Sequence, residues 1–232
     1  MESEDPIWKS LIPPWIDETT LLLVGGGGHG KTLIDLISVL ETYQLGGIVD
    51  NNLEPGSLIL DMPVFGCDEL LPDLFNAGFR QAINGVGGIG NVAVRLEVFD
   101  KLTEAGFEFP KLIHPSAWIE PSAELAYGVQ VLPLTYVGTD SSIGFGSLLN
   151  AHVIVSHDCH IGQCVNLSPG ATLAGGVKIQ DHAQIGMGVT INMNLTIGAD
   201  ARIGNGATIK ADVPPGGRVF AGQIWPEHTG NK

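Results

Sequence analysis

Positive charge is scarce in this sequence: 11 Lys and Arg stand against 25 Asp and Glu, a net charge of −14 at pH 7. That balance argues against a nucleic-acid partner, whose phosphates need a basic face. Cysteine is scarce too. Cys67, Cys159 and Cys164 are odd in number and lack metal-type spacing, so they read as reduced thiols in a cytoplasmic protein. No apolar run approaches the ~18 residues that span a membrane, and the acidic start MESED is unlike a signal peptide. Membrane insertion is therefore not expected. Only 16% of residues are charged against 44% hydrophobic, which indicates a well-packed globular chain, and 232 residues allow one large or two modest domains. Glycine, at 32 residues, is plentiful and suits a chain with many corners.

What the sequence does have is a period of six. From Ile119 to Ile209, sixteen consecutive positions spaced six apart are all Ile, Leu or Val. Two residues before each, from Ala123 to Ala207, stands a mostly small or β-branched residue, with Leu195 the one oversized member. Six fits neither the 3.6-residue helix nor an ordinary strand-and-turn protein; it is the hexapeptide β-helix period. Three short strands and three corners close a triangular coil, so residues eighteen apart stack. Sixteen hexads give about five coils, each dependent on its neighbours, and the whole folds as one solenoid.

Ahead of the repeats the pattern differs. Residues 1–19, with Trp8, Trp15 and Pro13-Pro14, read as an N-terminal arm that packs through its tryptophans. From Thr20, TLLLV is a buried strand, GGGGHG a turn, KTLIDLISVLETYQL a helix through Leu33, Ile34, Ile37 and Leu40, and GGIVD a second strand ending at Asp50. This is a mononucleotide-binding type of strand–turn–helix–strand unit, whose glycines let backbone N–H groups approach an anion at a helix N-terminus. Gly25-x-Gly27-x-x-Gly30 also fits a dinucleotide fingerprint, and Gly25 to Gly30-Lys31-Thr32 fits a P-loop literally. Four consecutive glycines make both matches cheap, and the ~90 residues before the repeats are too few for a P-loop NTPase. His29 inside the turn favours binding of a nucleotide or nucleotide-sugar. Further strands and helices follow to about Pro110, giving a small Rossmann-like parallel sheet over 20–110 that carries its ligand loops near Gly25–Gly30, Asp50 and Gly85. Residues 111–232 form the β-helix domain with a C-terminal tail.

Within the repeats, histidines gather at His152, His157 and His160, with Asp158 after His157 and Asn150 and Asn166 nearby. The inward positions Val155, Cys159 and Ile161 put His157 and Asp158 at an outward-facing corner. An exposed histidine beside a carboxylate suits a general base; an ordinary surface histidine is the bland alternative. A metal site competes: His152-x4-His157 resembles the ligand spacing of γ-class carbonic anhydrases. Zinc needs a third imidazole, and the stacked positions Leu134, Gly170, Thr139 and Gly175 supply none, which leaves another subunit as its source.

Taken together, the GGGGHGK turn, the IVDNN strand end, the exit LIHPSA and the hexads NAHVIVSHDCHIGQCVNLSPGATLAGGV resemble the PglD/NeuD-like bacterial sugar acetyltransferases, from about Leu21 to Gly222. The resemblance implies a nucleotide-sugar-binding domain joined to a left-handed parallel β-helix, and a homotrimer with active sites between adjacent β-helices. It implies acetyl transfer from acetyl-CoA to a sugar, commonly the 4-amino group of a nucleotide-linked amino-deoxy sugar in surface polysaccharide biosynthesis. By position, His157 matches the general base, Asp158 the acid that orients it, and Asn150 a polar residue lining the site. Asn166 falls where some members have a histidine at the thioester. On the substrate side, His29 with Gly27 and Gly28 matches the turn at the acceptor sugar, Asp50 and Asn51 the pair at the nucleotide base, and Gly85 a backbone contact. Gly175, Met187 and Asn205 fall along the path of CoA. A C-terminal G-x-P-A-K/R element, whose cation meets CoA phosphate in many members, is replaced here by Ala221–Glu227 without a cation, so the charge falls to Lys210 or Arg218.

The expected chemistry is direct transfer in a ternary complex, with no bound metal and His157 accepting the proton of the attacking amine, because no serine or cysteine beside it is an evident nucleophile. O-acetylation of a sugar such as sialic acid is the alternative within the same family. A metal-dependent hydratase and a non-catalytic trimeric binding protein are the alternatives outside it.

Overall fold

The computed structural model describes residues 6–90 and 92–226; the first five residues of the arm and Glu227, both part of the sequence expectations, lie outside the described residues. The chain divides into two compact units, one comprising residues up to Gly87 with Ala93–Pro110, the other Gly88–Val92 with Lys111 onward.

The first unit is an α/β sheet. A short helix α1 (Ile7–Leu11) precedes β1 (Thr20–Val24), α2 (Gly28–Ser38), β2 (Gln44–Val49), β3 (Leu58–Ile59), β4 (Met62–Gly66), α3 (Leu71–Asn76), β5 (Gln81–Asn84) and α4 (Val92–Glu104). The sheet order is β3-β4-β2-β1-β5, parallel except for the β3–β4 hairpin. Every residue of β1 is buried, as a central parallel strand requires. Trp8, Leu11 and Ile16 of the arm pack on the core of this same unit, whereas Trp15 is exposed. Helix α2 ends at Ser38, seven residues before the helical spacing runs out. Gln44 and Leu45 instead pair with Thr20 and Leu21 of β1. Burying Leu45 against that strand outweighs the local helical pattern.

The second unit is a left-handed parallel β-helix of two-residue strands in three sheets of seven, five and seven. Its pairings join residues eighteen apart, as in Val137↔Val155, Ile143↔Ile161 and Leu149↔Leu167. The six-step aliphatic column fills the interior. The corners explain the small polar residues between. From Gly128 to Gly206, fourteen residues at six-residue spacing all have φ between +49° and +72°. Ten of the fourteen are Gly, Asp or Asn, the residues that enter the left-handed region at least cost. Inward hydroxyls tie one corner to the next. Thr135, Ser141 and Ser147 donate to the carbonyls of Asn150, Ser156 and Gly162.

The helix is longer than the sequence count of about five coils. Leu112–Ile113 pairs with Gln130–Val131 and adds a hexad upstream. Downstream, the step from Ile209 to Val213 is four residues instead of six, and the last pairings, Ile203↔Val219 and Ile209↔Trp225, join residues sixteen apart. A two-residue deletion at one corner hides the final turn from a six-residue period without ending the stack.

Each coil is closed by its neighbours, so one interior truncation should weaken the whole unit. Leu167→Ala, at a fully buried position, is expected to cost about 2–5 kcal/mol. Urea unfolding would show this as a lower midpoint at an unchanged slope.

Candidate active site

In the α/β unit, the loops after β1, β2 and β5 share one sheet edge because the three strands are adjacent and parallel. This is where open α/β sheets bind ligands. The glycines there divide by cause. Gly25 has φ +106°, which favours glycine. A Cβ on Gly30 would lie 2.1 Å from the Gly25 carbonyl oxygen, and one on Gly85 2.4 Å from the same atom. These glycines serve the fold. Gly27 and Gly28 are exposed, and a Cβ on either would meet nothing within 4 Å. Packing within the unit does not demand glycine there; close approach of a ligand to the backbone would. Gly27 is the N-cap of α2 and no side chain caps that helix. His29 is half-buried in its first turn, near Gly87.

Asp50 accepts hydrogen bonds from the Gly26 N–H at 2.7 Å and the Asn52 N–H at 2.8 Å, so its carboxylate holds the glycine turn in place. Asn51 exchanges two bonds with Asp68, donating from Nδ2 at 3.0 Å and accepting from the backbone N–H at 2.9 Å. Lys101 Nζ also reaches Asp68, at 2.7 Å. Burial raises the Asp68 pKa, but the bonds from Lys101 and Asn51 outweigh it and hold the carboxyl below its ordinary value.

One member of this region carries no sequence motif. Arg95 is buried on α4 and donates to the carbonyls of Asn84 and Val86, while Asn84 Nδ2 donates to the Arg95 carbonyl at 2.8 Å. The two residues clamp the turn around Gly85. The one available signal was an arginine within the apolar stripe of NVAVRLEVF.

In the β-helix the histidines separate. His152 occupies the corner before Ile154, and His160 lies on the next sheet with Nδ1 2.9 Å from Ser142 Oγ. Among the described residues no three His, Cys, Asp or Glu side chains form a group able to hold a metal. His157 stands with Asp158 alone. Its Nδ1 lies 2.6 Å from Asp158 Oδ2, and both side chains are about two-thirds exposed, at 68% and 64%. An ionised carboxylate only accepts, so Nδ1 carries the hydrogen and, in the neutral ring, Nε2 carries the lone pair. Asp158 is one of the left-handed corner residues, at φ +58°. The corner backbone is pinned from both sides: the Asp158 N–H donates to Thr139 O at 2.9 Å, and the Gly176 N–H donates to His157 O at 3.0 Å.

Gly175 lies beneath the ring. A Cβ there would stand 2.5 Å from His157 Cε1 and 2.7 Å from Nε2. Cys159, behind the corner, is buried and donates to the Ala174 carbonyl at 3.3 Å; burial pushes its thiol pKa up, which suits a neutral packing group rather than a nucleophile.

Asn150 and Asn166 are brought together, but at a different corner from His157. Asn150 Nδ2 donates to Asn166 Oδ1 at 3.3 Å and to the Leu167 carbonyl at 2.9 Å, and buried Asn166 donates to Ser168 Oγ at 3.0 Å. Gly88 packs against Asn166, and the Gly90 backbone exchanges two hydrogen bonds with Gln184. Met187 and Asn205 meet two coils further on, where the Met187 N–H donates to Asn205 Oδ1 at 2.9 Å.

The chain thus joins an α/β sheet bearing a glycine turn to a hexapeptide-repeat prism bearing the His157–Asp158 corner. Two family models match in agreement: the PglD N-terminal domain over residues 20–102 and the bacterial transferase hexapeptide (six repeats) over 176–211. The chain superposes on PerB from Caulobacter crescentus, solved with CoA and GDP-perosamine, at a TM-score of 0.82 and 31% identity, covering 89% of this chain and 96% of that one. The acetyltransferase domain of PglB from Neisseria gonorrhoeae, solved with acetyl coenzyme A, gives 0.81 and 33%, covering 91% and 100%. The GDP-perosamine N-acetyltransferase of Escherichia coli O157:H7 is 35% identical over 98 residues, 42% of this chain and 44% of that protein. The chain spans about half the length, or less, of the curated relatives it matches. It belongs to the PglD-type sugar N-acetyltransferase family.

Proposed function

We propose that this protein transfers the acetyl group of acetyl-CoA to the amino group of a nucleotide-linked amino-deoxy sugar, in the cytoplasm, for surface polysaccharide assembly. The observation that carries this reading is the exposed His157–Asp158 pair, in which Asp158 engages Nδ1 and leaves Nε2 as the basic nitrogen, over Gly175. In the proposed reaction the amine attacks the thioester carbonyl and Nε2 takes the amine proton; the C–S bond then breaks and the imidazolium passes that proton to the departing sulfur, so CoA leaves as the thiol and His157 is neutral again. Asp158 holds the ring in its Nδ1–H tautomer and offsets the positive charge the imidazole gains. Placing two large substrates together would supply much of the acceleration. The nucleotide-sugar would sit at the Gly27–Gly28 turn with His29, and acetyl-CoA would follow Asn166, Met187 and Asn205.

A corner that projects outward gives its substrates one wall. A homotrimer, in which the neighbouring β-helix supplies the second, would complete it; light scattering is expected to give three times the monomer mass, and a stable monomer would remove this part of the proposal. Turnover is tested by following thiol release from acetyl-CoA against a panel of GDP- and UDP-linked amino sugars. Release that depends on an amino sugar is the expected result, and release with hydroxyl-only sugars would point to O-acetylation.

The division of labour gives a separate prediction. Asp50→Ala removes the acceptor for the Gly26 and Asn52 N–H groups and should weaken nucleotide-sugar binding by roughly 10- to 150-fold, since a hydrogen bond to a charged group contributes roughly 1.5–3 kcal/mol. Calorimetry should find acetyl-CoA affinity nearly unchanged; equal loss for both ligands would contradict the assignment.

A further inference from the structure

Two residues follow β2 at the ligand edge of the α/β unit, and they differ in what they have left to offer. Asp50 is engaged at both oxygens, Oδ2 by the Gly26 N–H and Oδ1 by the Asn52 N–H. Asn51 is exposed and half engaged. A side-chain amide has two N–H donors and an oxygen with two lone pairs. Asp68 takes one of each: Asn51 Nδ2 donates to its Oδ2, and Asn51 Oδ1 accepts from its backbone N–H. Among the described residues, one donor and one acceptor of the amide stay unspent. A paired donor and acceptor is what the edge of a nucleobase binds.

Asp68 also decides which way round that amide stands. Turned over, it would set Nδ2 against the Asp68 N–H and Oδ1 against the carboxylate, donor on donor and acceptor on acceptor. Two attachment points also stop the swing that a single one would allow. The carboxylate is itself held. Asp68 opens a short 3₁₀ turn, Asp68–Leu70, and its side chain is only 16% exposed. Lys101 on α4 donates to it at 2.7 Å and reaches Glu97 at 2.9 Å. Six residues earlier on the same helix, Arg95 holds the Gly85 turn through the carbonyls of Asn84 and Val86. One helix thus fixes the loops after β2 and β5, the strands on either side of β1.

We propose that Asp68 and Lys101 are positioning residues for the nucleotide of the sugar substrate, locking the Asn51 amide in one orientation toward the edge of the base. This rests on the nucleotide-sugar reading of the α/β unit and deepens it, because it names the side chain that reads the base and the pair that sets it. An amide that cannot turn over accepts one order of donor and acceptor and rejects the reverse. Guanine and uracil carry an oxo group beside an N–H; adenine and cytosine carry an amino group beside a ring-nitrogen acceptor. The distinction drawn at Asn51 is therefore between oxo and amino bases.

The test is calorimetry with GDP, ADP, UDP and CDP on the wild type, Asp68→Ala, Asn51→Ala and the double variant. Folding is not at stake, since Lys101 keeps Glu97 and Asn51 is exposed to water; thermal midpoints on the same samples check it. Asp68→Ala is expected to weaken binding of the preferred nucleotide roughly 3- to 10-fold, and to have no effect in the Asn51→Ala background, because the two residues belong to one hydrogen-bond network. It should also narrow the preference within each pair of equal ring size, GDP against ADP and UDP against CDP. Lys101→Met should show the same pattern, and Lys101→Arg, which still donates to Asp68, should bind as the wild type does. An equal loss with and without Asn51 marks a merely structural contact and overturns the positioning role. Unchanged binding by Asp68→Ala, where Asn51→Ala weakens it, overturns that role alone. A wild-type chain that binds none of the four nucleotides overturns the nucleotide-sugar reading as well.

Discussion

His157→Ala is expected to lower kcat by roughly 10²–10⁴-fold while the protein keeps its fold and its affinity for CoA, the range typical for removing a positioned general base. The side chain is exposed and makes its one side-chain hydrogen bond to Asp158, so its loss leaves no buried group unpaired and opens no cavity. The corner survives because it is held through backbone, by the bonds of Asp158 to Thr139 and of Gly176 to the His157 carbonyl. Asp158→Asn should do less. The amide can still accept from Nδ1 but brings no negative charge to the imidazolium formed during transfer. Stopped-assay thiol release, with circular dichroism and CoA calorimetry on the same samples, separates chemistry from folding. Full activity in a well-folded His157→Ala protein would overturn the mechanism. A metal mechanism predicts a different pattern, in which wild-type activity falls on chelation and returns with zinc.

Gly175→Ala carries the second large effect, on the order of 10² in kcat, because a displacement of about 1 Å at a reacting group is enough for that loss. A methyl group 2.5 Å from Cε1 cannot coexist with the ring where it lies. The atoms it meets belong to an exposed side chain, so the ring swings away at little energetic cost and the thermal midpoint should hardly move. Neighbouring Gly176 makes the contrast: at φ +71°, with Asn194 Oδ1 2.3 Å from an added Cβ, its substitution strains the corner itself. The split between kinetic constants is diagnostic. A fall in kcat with KM for acetyl-CoA preserved identifies Gly175 as the rest for the imidazole. A rise in KM with kcat preserved would make it a contact for the coenzyme instead.

Much of this architecture is legible in the chain because a solenoid repeats its own constraint. A buried aliphatic at every sixth step admits few geometries, and the Gly, Asp and Asn residues at the corners mark the left-handed turns that link the strands. Where a constraint is unique to one place, periodicity has no purchase. The four-residue step between Ile209 and Val213 moves the column out of register, so the last coil disappears from the pattern although its Val213 and Val219 are buried. Helix α2 looks longer in sequence than it is because Leu45 answers to Leu21, twenty-four residues away. At the site, the adjacency of His157 and Asp158 was visible as a dipeptide, and their contact follows from the corner. The packing of Gly175 under the ring needed the eighteen-residue stack, and the clamp of Arg95 on the Gly85 turn needed the tertiary fold. Asn51, expected at the nucleotide base, is also tied to Asp68 by two bonds, a contact between residues seventeen apart that no local pattern announces.

The stacking rule also fixes how such a chain can change length. Each residue has an address, one of three walls and one rung, and both follow from counting along the sequence. Removing one hexad between His157 and Gly175 would carry everything downstream around to the adjacent wall, leaving the imidazole over a different residue and Arg202 off the face that now bears Gln184. Removing eighteen residues would preserve every wall and shorten the prism by one rung. Length differences tolerated on the C-terminal side of this corner should therefore come in whole rungs, or as loops that leave and rejoin the chain at a single corner, and the two-residue deficit after Ile209 is tolerable because it falls where few rungs remain to be misaligned.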